Sequence, residues 1–162
     1  MKTITSILDQ RSTVSKFDPG YSLSEETLSE LIRLATQAPS AFNLQNWTFV
    51  AAYSKEAKES LTKLAYGQKQ VSEASVSIIV CGELNAYLKL RDRLEPSVIK
   101  GILPEAISEA WVGMATESHQ NNEQLQRDEA IRSASLATMA LILAAREMGL
   151  DSGVVGGFDP EG

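Results

Sequence analysis

The connection between the second predicted helix and the first predicted strand reads Pro39-Ser40-Ala41-Phe42-Asn43-Leu44-Gln45-Asn46-Trp47. A plain helix-to-strand connection does not need a serine, two asparagines and a glutamine within seven residues. Amide side chains both donate and accept hydrogen bonds, so this composition favours a planar ligand with donors and acceptors along one edge. The alternative is a loop whose amides satisfy nearby backbone groups, and the segment alone is compatible with both. Trp47 is expected to lie in the core.

Helix-like and strand-like patterns alternate along the rest of the chain. Apolar spacing predicts helices over residues 3–10, 55–65 and 127–148, and a further helix that starts at a Ser22 or Ser24 cap and continues to Pro39. Buried strands are predicted over residues 47–53 and 76–82. Residues 67–70 are expected to form a loop, and residues 85–119 to form helices broken at Pro96 and Pro104. The alternation indicates an α/β or α+β protein.

The helix predicted over residues 127–148 is the strongest helical signal in the chain. Its interior, residues 134–145, is apolar almost all round, and a helix of this kind must be buried on most sides. In a small domain this indicates a central core helix or a helix shared with a second subunit. Gly149 is suited to its C-cap.

Length, charge and hydropathy exclude several classes of protein. A chain of 162 residues fits one domain. Its net charge of −6 argues against a nucleic-acid partner, which requires a basic surface. The N-terminus lacks the apolar region of a signal peptide, and no stretch approaches the ~20 apolar residues that span a bilayer. These features predict a cytoplasmic protein with no membrane partner.

Cysteine and histidine are each present once. Cys81 lies in the apolar run 76–81 and is expected to be a buried structural thiol, whereas His119 lies in a polar stretch and is expected to be at the surface or functionally neutral. One residue of each type cannot build a multi-ligand zinc site, and no G-x-S-x-G motif accompanies His119. We therefore predict neither a metal site nor a catalytic nucleophile.

Two further segments carry groups suited to a ligand. Residues 11–16 read Arg11-Ser12-Thr13-Val14-Ser15-Lys16, and a guanidinium surrounded by hydroxyls is suited to a phosphate; a solvated polar loop is the alternative. Gly156-Gly157 permits close approach of the backbone to a ligand, although a plain turn is equally compatible. No G-x-G-x-x-G or Walker A motif is present, so a Rossmann dinucleotide or a P-loop nucleotide is not supported.

In order and spacing these pieces resemble the nitroreductase family of FMN-dependent enzymes. The resemblance rests on Arg11-Ser12 with Phe17-Asp18-Pro19, Ala38-Pro39-Ser40 with Asn43, Gln45 and Trp47, residues 66–71 with Ala74, the Ala-rich helix, Gly149-Leu150, and Gly156-Gly157-Phe158-Asp159. It implies an α+β nitroreductase-like fold with a mainly antiparallel central sheet flanked by helices. It also implies that residues 1–162 form a single FMN-binding domain and that the protein is a homodimer with two FMN sites at its interface.

The resemblance also implies which residues bind the cofactor. Arg11, Ser12 and Thr13 would hold the phosphate and ribityl side, with Ser15 beside them. The 39–45 segment would come from the partner subunit, Gln68 would lie near the ring, and the paired glycines would border its reactive face. The predicted cofactor-binding residues are Arg11, Ser12, Thr13, Ser15, Pro39, Ser40, Ala41, Asn43, Gln45, Gln68, Gly156 and Gly157. The helix over residues 127–148 would form the dimer core.

The chain departs from the family pattern at three places. Ser15 stands where a second basic residue is frequent, and Asn46 stands where a proline is usual. Family members normally continue past the Gly-Gly-Phe-Asp segment with a further strand, whereas this chain ends at Gly162. This predicts either a truncated form or a shortened member with a weakened site.

The activity that the resemblance implies is transfer of hydride from NAD(P)H through FMN to nitro compounds, quinones or similar acceptors, in a ping-pong sequence. The flavin would carry the chemistry, so no catalytic acid or nucleophile is expected. Backbone donors at Gly156 or Gly157 would stabilise the reduced ring. One alternative is a non-catalytic flavin-binding or flavin-carrying dimer, and another is a structural dimer without a cofactor.

Overall fold

The computed structural model describes residues 3–161; Met1, Lys2 and Gly162 lie outside this range. The helices are α1 (Ile4–Gln10), α2 (Glu25–Ala35), α3 (Lys55–Leu64), α4 (Lys69–Glu73), α5 (Leu90–Ile99), α6 (Glu105–His119) and α7 (Glu123–Glu147). The strands are β1 (Trp47–Ala52) and β2 (Ser77–Gly82), and short 3₁₀ turns cover Ala41–Asn43 and Ala86–Lys89. The fold is α+β, as the resemblance implied.

The two strands form a small antiparallel sheet. At one end of the pair the backbone N–H of Glu83 donates to the carbonyl of Asn46, 3.0 Å away. Side chains that alternate along β2 leave Ile79 and Cys81 exposed on one face. The prediction that Cys81 is buried is therefore wrong, because an apolar run does not specify which face of a strand is covered.

The described residues divide into two compact units. The first unit comprises residues 3–35, 49–79 and 139–161, and the second comprises residues 36–48 and 80–138. The buried side chains of the first unit are mostly small, with Leu31, Ala35, Ala65 and Val71 among them. The second unit has a core with several larger residues, formed by Leu44, Ala86, Tyr87, Leu90, Leu94 and Ala115.

Serine and threonine side chains cap α1, α2 and α3, and of these caps only Ser24 was predicted. The hydroxyls of Thr3, Ser24 and Ser54 each accept a hydrogen bond of 3.2 Å from the backbone N–H three residues later, which satisfies a donor that the helix leaves unpaired. Helix α2 ends at Ala35, several residues before the predicted end at Pro39. A residue preceding proline is disfavoured in helical conformation, and here the chain leaves the helix earlier than that restriction requires.

Three other boundaries differ from the sequence prediction. Residues 69–73 form α4, so the predicted loop is shorter. Pro96 lies within α5 and does not break it; the helix continues for three residues to Ile99. Helix α7 starts at Glu123, one turn before the predicted start, where the Asn122 side chain accepts from the N–H of Leu125 at 3.1 Å.

The C-cap of α7 agrees with the prediction. Gly149 has φ of +82°, a conformation that favours glycine. Its N–H donates to Arg146, and the next N–H, of Leu150, donates to the carbonyl of Ala145 at 2.8 Å. No helix within residues 3–161 combines the length and the apolar character needed to cross a membrane.

His119 is buried, so the expectation of a surface histidine is wrong. Its Nδ1 lies 2.9 Å from the carbonyl oxygen of Ala115, and its ring packs against Phe42 and Tyr87. The polar sequence around it suggested exposure, but the helical period places His119 on the same face of α6 as Ala115. No group of three or more potential metal-ligating side chains occurs in the part of the chain that the structure describes.

Candidate functional site

The segment that we call the 11–15 loop follows α1 in the first unit. Thr13 forms a parallel bridge with Ser152, and the N–H of Val14 donates to the carbonyl of Ser152 at 3.0 Å. The hydroxyl-bearing residues Ser12, Thr13 and Ser15 are exposed. Arg11 is half-buried, and its guanidinium has no ion-pair partner within residues 3–161. The loop therefore presents one cation and three hydroxyls that are available to a ligand.

Gly153 makes this arrangement possible and was not singled out from the sequence. A Cβ at this position would lie 2.4 Å from the carbonyl oxygen of Val14, closer than any side chain tolerates. Only glycine lets the chain after α7 approach the 11–15 loop this closely. The signal that could have indicated it is the recurrence of glycine at 149, 153, 156 and 157 directly after a long helix.

The predicted residues Gln68 and Gly157 are brought together in the same unit. The Gln68 Nε2 donates to the carbonyls of Gly157 at 2.7 Å and Ala65 at 3.0 Å, and its Oε1 accepts from Gln70 at 2.9 Å. In a second hydrogen bond between these segments, the N–H of Asp159 donates to the carbonyl of Leu64 at 2.8 Å. Because both N–H groups of its amide are used, Gln68 positions Gly157 and has only one acceptor lone pair left for a ligand.

Gly156 has open space where a side chain would be. A Cβ built at this residue meets no atom within 4 Å, and both Gly156 and Gly157 are exposed. The first unit therefore brings together seven of the predicted residues in two groups, and the chain between Ser152 and Gly157 connects those groups. The seven are Arg11, Ser12, Thr13, Ser15, Gln68, Gly156 and Gly157.

The other five predicted residues lie in the second unit, in the segment that we call the 39–45 loop. Its backbone folds back on itself: the N–H of Asn43 donates to the carbonyl of Ser40, and the N–H of Gln45 donates to the Ser40 hydroxyl at 2.8 Å. The side chain of Asn43 is exposed, and that of Gln45 is half-buried. The loop leads into Trp47, which is buried as predicted.

Three residues of the 39–45 loop have backbone angles that non-glycine residues rarely adopt. The φ values are +50° for Phe42, +58° for Asn43 and +46° for Gln45. Asparagine tolerates this region better than most residues, whereas a bulky phenylalanine does not. Strain of this kind persists only where the surroundings enforce it, and it is concentrated at binding sites.

A shallow cleft of ≈ 290 Å³ lies between the 39–45 loop and one face of α7. It is lined by Pro39, Ser40, Ala41, Glu129, Arg132, Ser133 and Leu136. Glu129 and Ser133 are buried, and the Arg132 Nη1 donates to Glu129. The helix residues were not predicted as site residues, although polar side chains at 129, 132 and 133 recur at the i, i+3, i+4 spacing that places them on one face.

Beside this loop lies a group of charged and polar residues that sequence reasoning also missed. The Arg93 guanidinium donates to the carbonyl of Leu44 and to the carboxylate of Glu83 at 2.7 Å. The hydrogen bond from the Thr48 hydroxyl, followed by the interaction with Arg93, holds the pKa of the Glu83 carboxyl below its ordinary value. Asn46, where a proline was expected, is buried, and its Oδ1 has no hydrogen-bond partner within residues 3–161.

These donor sets fit the groups of FMN. The guanidinium of Arg11, which pairs with no carboxylate in the described part of the chain, and the adjacent hydroxyls match the chemistry of a phosphate. Gly156 leaves room for a ring to lie against the backbone, and the amide of Asn43 offers both a donor and an acceptor. The contacts themselves stay predictions.

Comparison with known proteins agrees with this fit. The model of the nitroreductase family matches residues 8–162. The protein named "Putative NAD(P)H nitroreductase YodC" of Bacillus subtilis (strain 168) is 37% identical over 161 residues, which cover 99% of this chain and 79% of that protein. "Putative NAD(P)H nitroreductase MhqN" of the same organism is 36% identical over 162 residues, with the same shares covered.

A solved structure shows the same fold. It is described as a putative nitroreductase in complex with FMN from Exiguobacterium sibiricum, and it superposes with a TM-score of 0.93 at 28% identity, covering 99% of this chain and 78% of that one. The fold is that of an α+β protein with nitroreductase-like architecture. The chain belongs to the nitroreductase family.

Proposed function

We propose that this protein is an FMN-dependent oxidoreductase that transfers hydride from NAD(P)H through the flavin to nitro compounds, quinones or similar acceptors. The observation that carries the proposal is the joining of the 11–15 loop to the Gly156-Gly157 segment. The bridge between Thr13 and Ser152 connects the loop of Arg11, whose guanidinium has no ion-pair partner within residues 3–161, to a backbone that is open at Gly156. The names of the two Bacillus relatives and the FMN in the Exiguobacterium structure support it.

Each predicted residue has a role set by its chemistry. Arg11 would pair with the cofactor phosphate, with Ser12, Thr13 and Ser15 as further donors. The N–H groups of Gly156 and Gly157 would donate to the ring, and bound FMN would accept the hydride and release the electrons. The 39–45 loop of the partner subunit would close the site and exclude water from it. No side chain of this chain needs to act as an acid or nucleophile.

The proposal includes a homodimer, which the exposed face of α7 supports. Ile131, Leu136 and Met139 are each more than a third exposed in the single chain. Large apolar side chains exposed on a long helix are typical of a subunit interface. Of the two interpretations of this helix that the sequence left open, exposure favours sharing with a second copy. We also propose that residues 1–162 form one FMN-binding domain and that it acts in the cytoplasm, where NAD(P)H is supplied.

The decisive experiment is reconstitution with FMN followed by anaerobic reduction. We expect the purified protein to bind FMN, to sediment as a dimer and to lose its flavin absorbance on addition of NADPH or NADH. Bound flavin that neither nucleotide reduces would support the flavin-carrier alternative. Failure to bind FMN at all would contradict both the enzyme and the carrier.

Replacement of Arg11 by Ala tests the phosphate assignment. We expect FMN affinity to fall by roughly tenfold or more, because a charge-assisted pair is lost, whereas affinity for riboflavin, which has no phosphate, should stay the same. Fluorescence titration with both flavins measures this. Lys16→Ala is the matched control for a loss of charge in the same segment, and equal effects on FMN and riboflavin would contradict the assignment.

A further inference from the structure

The 39–45 loop has a conformation that its own sequence disfavours. Phe42, Asn43 and Gln45 all have positive φ, and none is a glycine. A free loop of this sequence would relax to negative φ. Hydrogen bonds within the loop close its turn, and contacts with other parts of the second unit add to them.

Arg93 contacts this loop near its end, and Glu83 contacts Asn46 and Thr48, which directly follow it. The Arg93 guanidinium donates to the carbonyl of Leu44, which lies between two of the positive-φ residues. Glu83 binds the same guanidinium at 2.7 Å, accepts from the Thr48 hydroxyl, and donates its own N–H to the carbonyl of Asn46 at 3.0 Å. The side chains of Arg93 and Glu83 are only 18% and 27% exposed, so water competes weakly with these bonds.

The Glu83 end of this arrangement is fixed to α7. A Cβ at Gly82 would lie 2.7 Å from the carbonyl oxygen of Ala130, so the end of β2 lies directly on that helix. Two residues beyond Glu83, the N–H of Asn85 donates to the Gln126 side chain at 3.1 Å. Helix α7 also supplies one wall of the cleft. Arg93 and Glu83 therefore fix the position of the 39–45 loop, which forms one wall of the cleft, relative to α7, which forms the other.

We propose that Arg93 and Glu83 are positioning residues for the flavin: they hold the 39–45 loop in its left-handed conformation, so that Ser40, Asn43 and Gln45 are preorganised for the ring. We call the two residues the Arg93–Glu83 brace. This inference rests on the proposed function. A brace of this kind lowers the conformational cost of ligand binding, because the loop is already ordered before the ligand arrives.

The test uses the full-length protein with Arg93→Met and Glu83→Gln. We expect FMN affinity to fall by roughly tenfold in each variant, and amide hydrogen exchange of residues 43–47 to become faster even without flavin. Amides in the middle of α6 should be unchanged. The double variant should bind FMN no worse than either single variant, because the two residues act as one unit. Arg93→Lys should restore part of the affinity.

Arg91→Met is the matched control, since Arg91 is on the same helix and pairs with Glu109 at the surface. It should change neither FMN affinity nor exchange. Wild-type affinity together with wild-type exchange in Arg93→Met and Glu83→Gln would overturn the inference. If the wild-type protein binds no FMN, the proposed function fails, and the exchange experiment still decides whether the brace holds the loop. If Arg93→Met does not fold, the near-isosteric Glu83→Gln decides.

Discussion

The 11–15 loop and the 39–45 loop are built in opposite ways. The first is mostly exposed, is attached to Ser152 through the backbone N–H of Val14, and leaves its polar side chains available. The second has three positive-φ residues and packs on the hydrophobic core of its unit. A loop that is attached through its backbone can present a charged side chain to a ligand, and its side chains can be replaced without altering its backbone conformation. A strained loop contributes a defined backbone conformation to the site, and that conformation depends on side chains outside the loop.

The largest effect should come from breaking the backbone attachment of the 11–15 loop. We expect Gly153→Val to destabilise the protein by about 3 kcal/mol, because its Cβ would overlap the carbonyl of Val14 and separate the two segments. Denaturant unfolding measures the change. Gly156→Ala is the control, since its Cβ meets nothing within 4 Å. Equal stability of the two variants would show that the close approach at Gly153 is not required.

A smaller effect, dependent on pH, should follow from Glu83→Gln near the 39–45 loop. We expect a loss of about 2 kcal/mol at neutral pH, since hydrogen bonds to a charged group are replaced by neutral ones. The folded pKa of Glu83 lies below the ordinary 4.5, so its contribution is complete above that value and disappears as the pH falls through the folded pKa. Unfolding curves of wild type and variant should therefore converge under acid conditions. A constant difference across pH would contradict the ionic role of Glu83.

Gln68→Leu should cost about 1.5 kcal/mol, because the variant loses the hydrogen bonds to Gly157 and Ala65. This substitution tests whether the Gln68 side chain holds the candidate binding residues of the first unit in position. We expect faster amide exchange near Gly157 with little change at residues 11–15. Gln70→Leu, which removes only the bond to Gln68, should have the smaller effect of the two.

The smallest expected effect is an increase in the free energy of unfolding. Asn46→Leu replaces a buried side chain whose Oδ1 has no partner in the described chain, so we expect stabilisation by about 1 kcal/mol. Thermal unfolding measures it, and Asn43→Leu at an exposed position three residues earlier should give no gain. If Asn46→Leu is destabilising, the Asn46 side chain makes a contact that the single chain does not contain, such as one to a ligand or a second subunit.

Several elements could be predicted because their signals are local. Ser24 and Gly149 mark helix ends through caps that involve only nearby backbone groups. The candidate residues of both loops were found because hydroxyls, amides and a guanidinium are concentrated in short segments. The burial of His119 and the exposure of Cys81 were missed, because burial depends on which face of an element is covered by distant residues.

By itself, the sequence determined the order of the elements, the family and the chemistry of both loops. These follow from side-chain type and from the period of 2 or 3.6 residues, which neighbouring residues define. Only the tertiary structure decided which groups meet: Gly153 against Val14, Gln68 against Gly157, and Arg93 against the carbonyl of Leu44. The physical reason is that such contacts join residues between 49 and 139 positions apart in the chain, and no local preference encodes a partner at that distance.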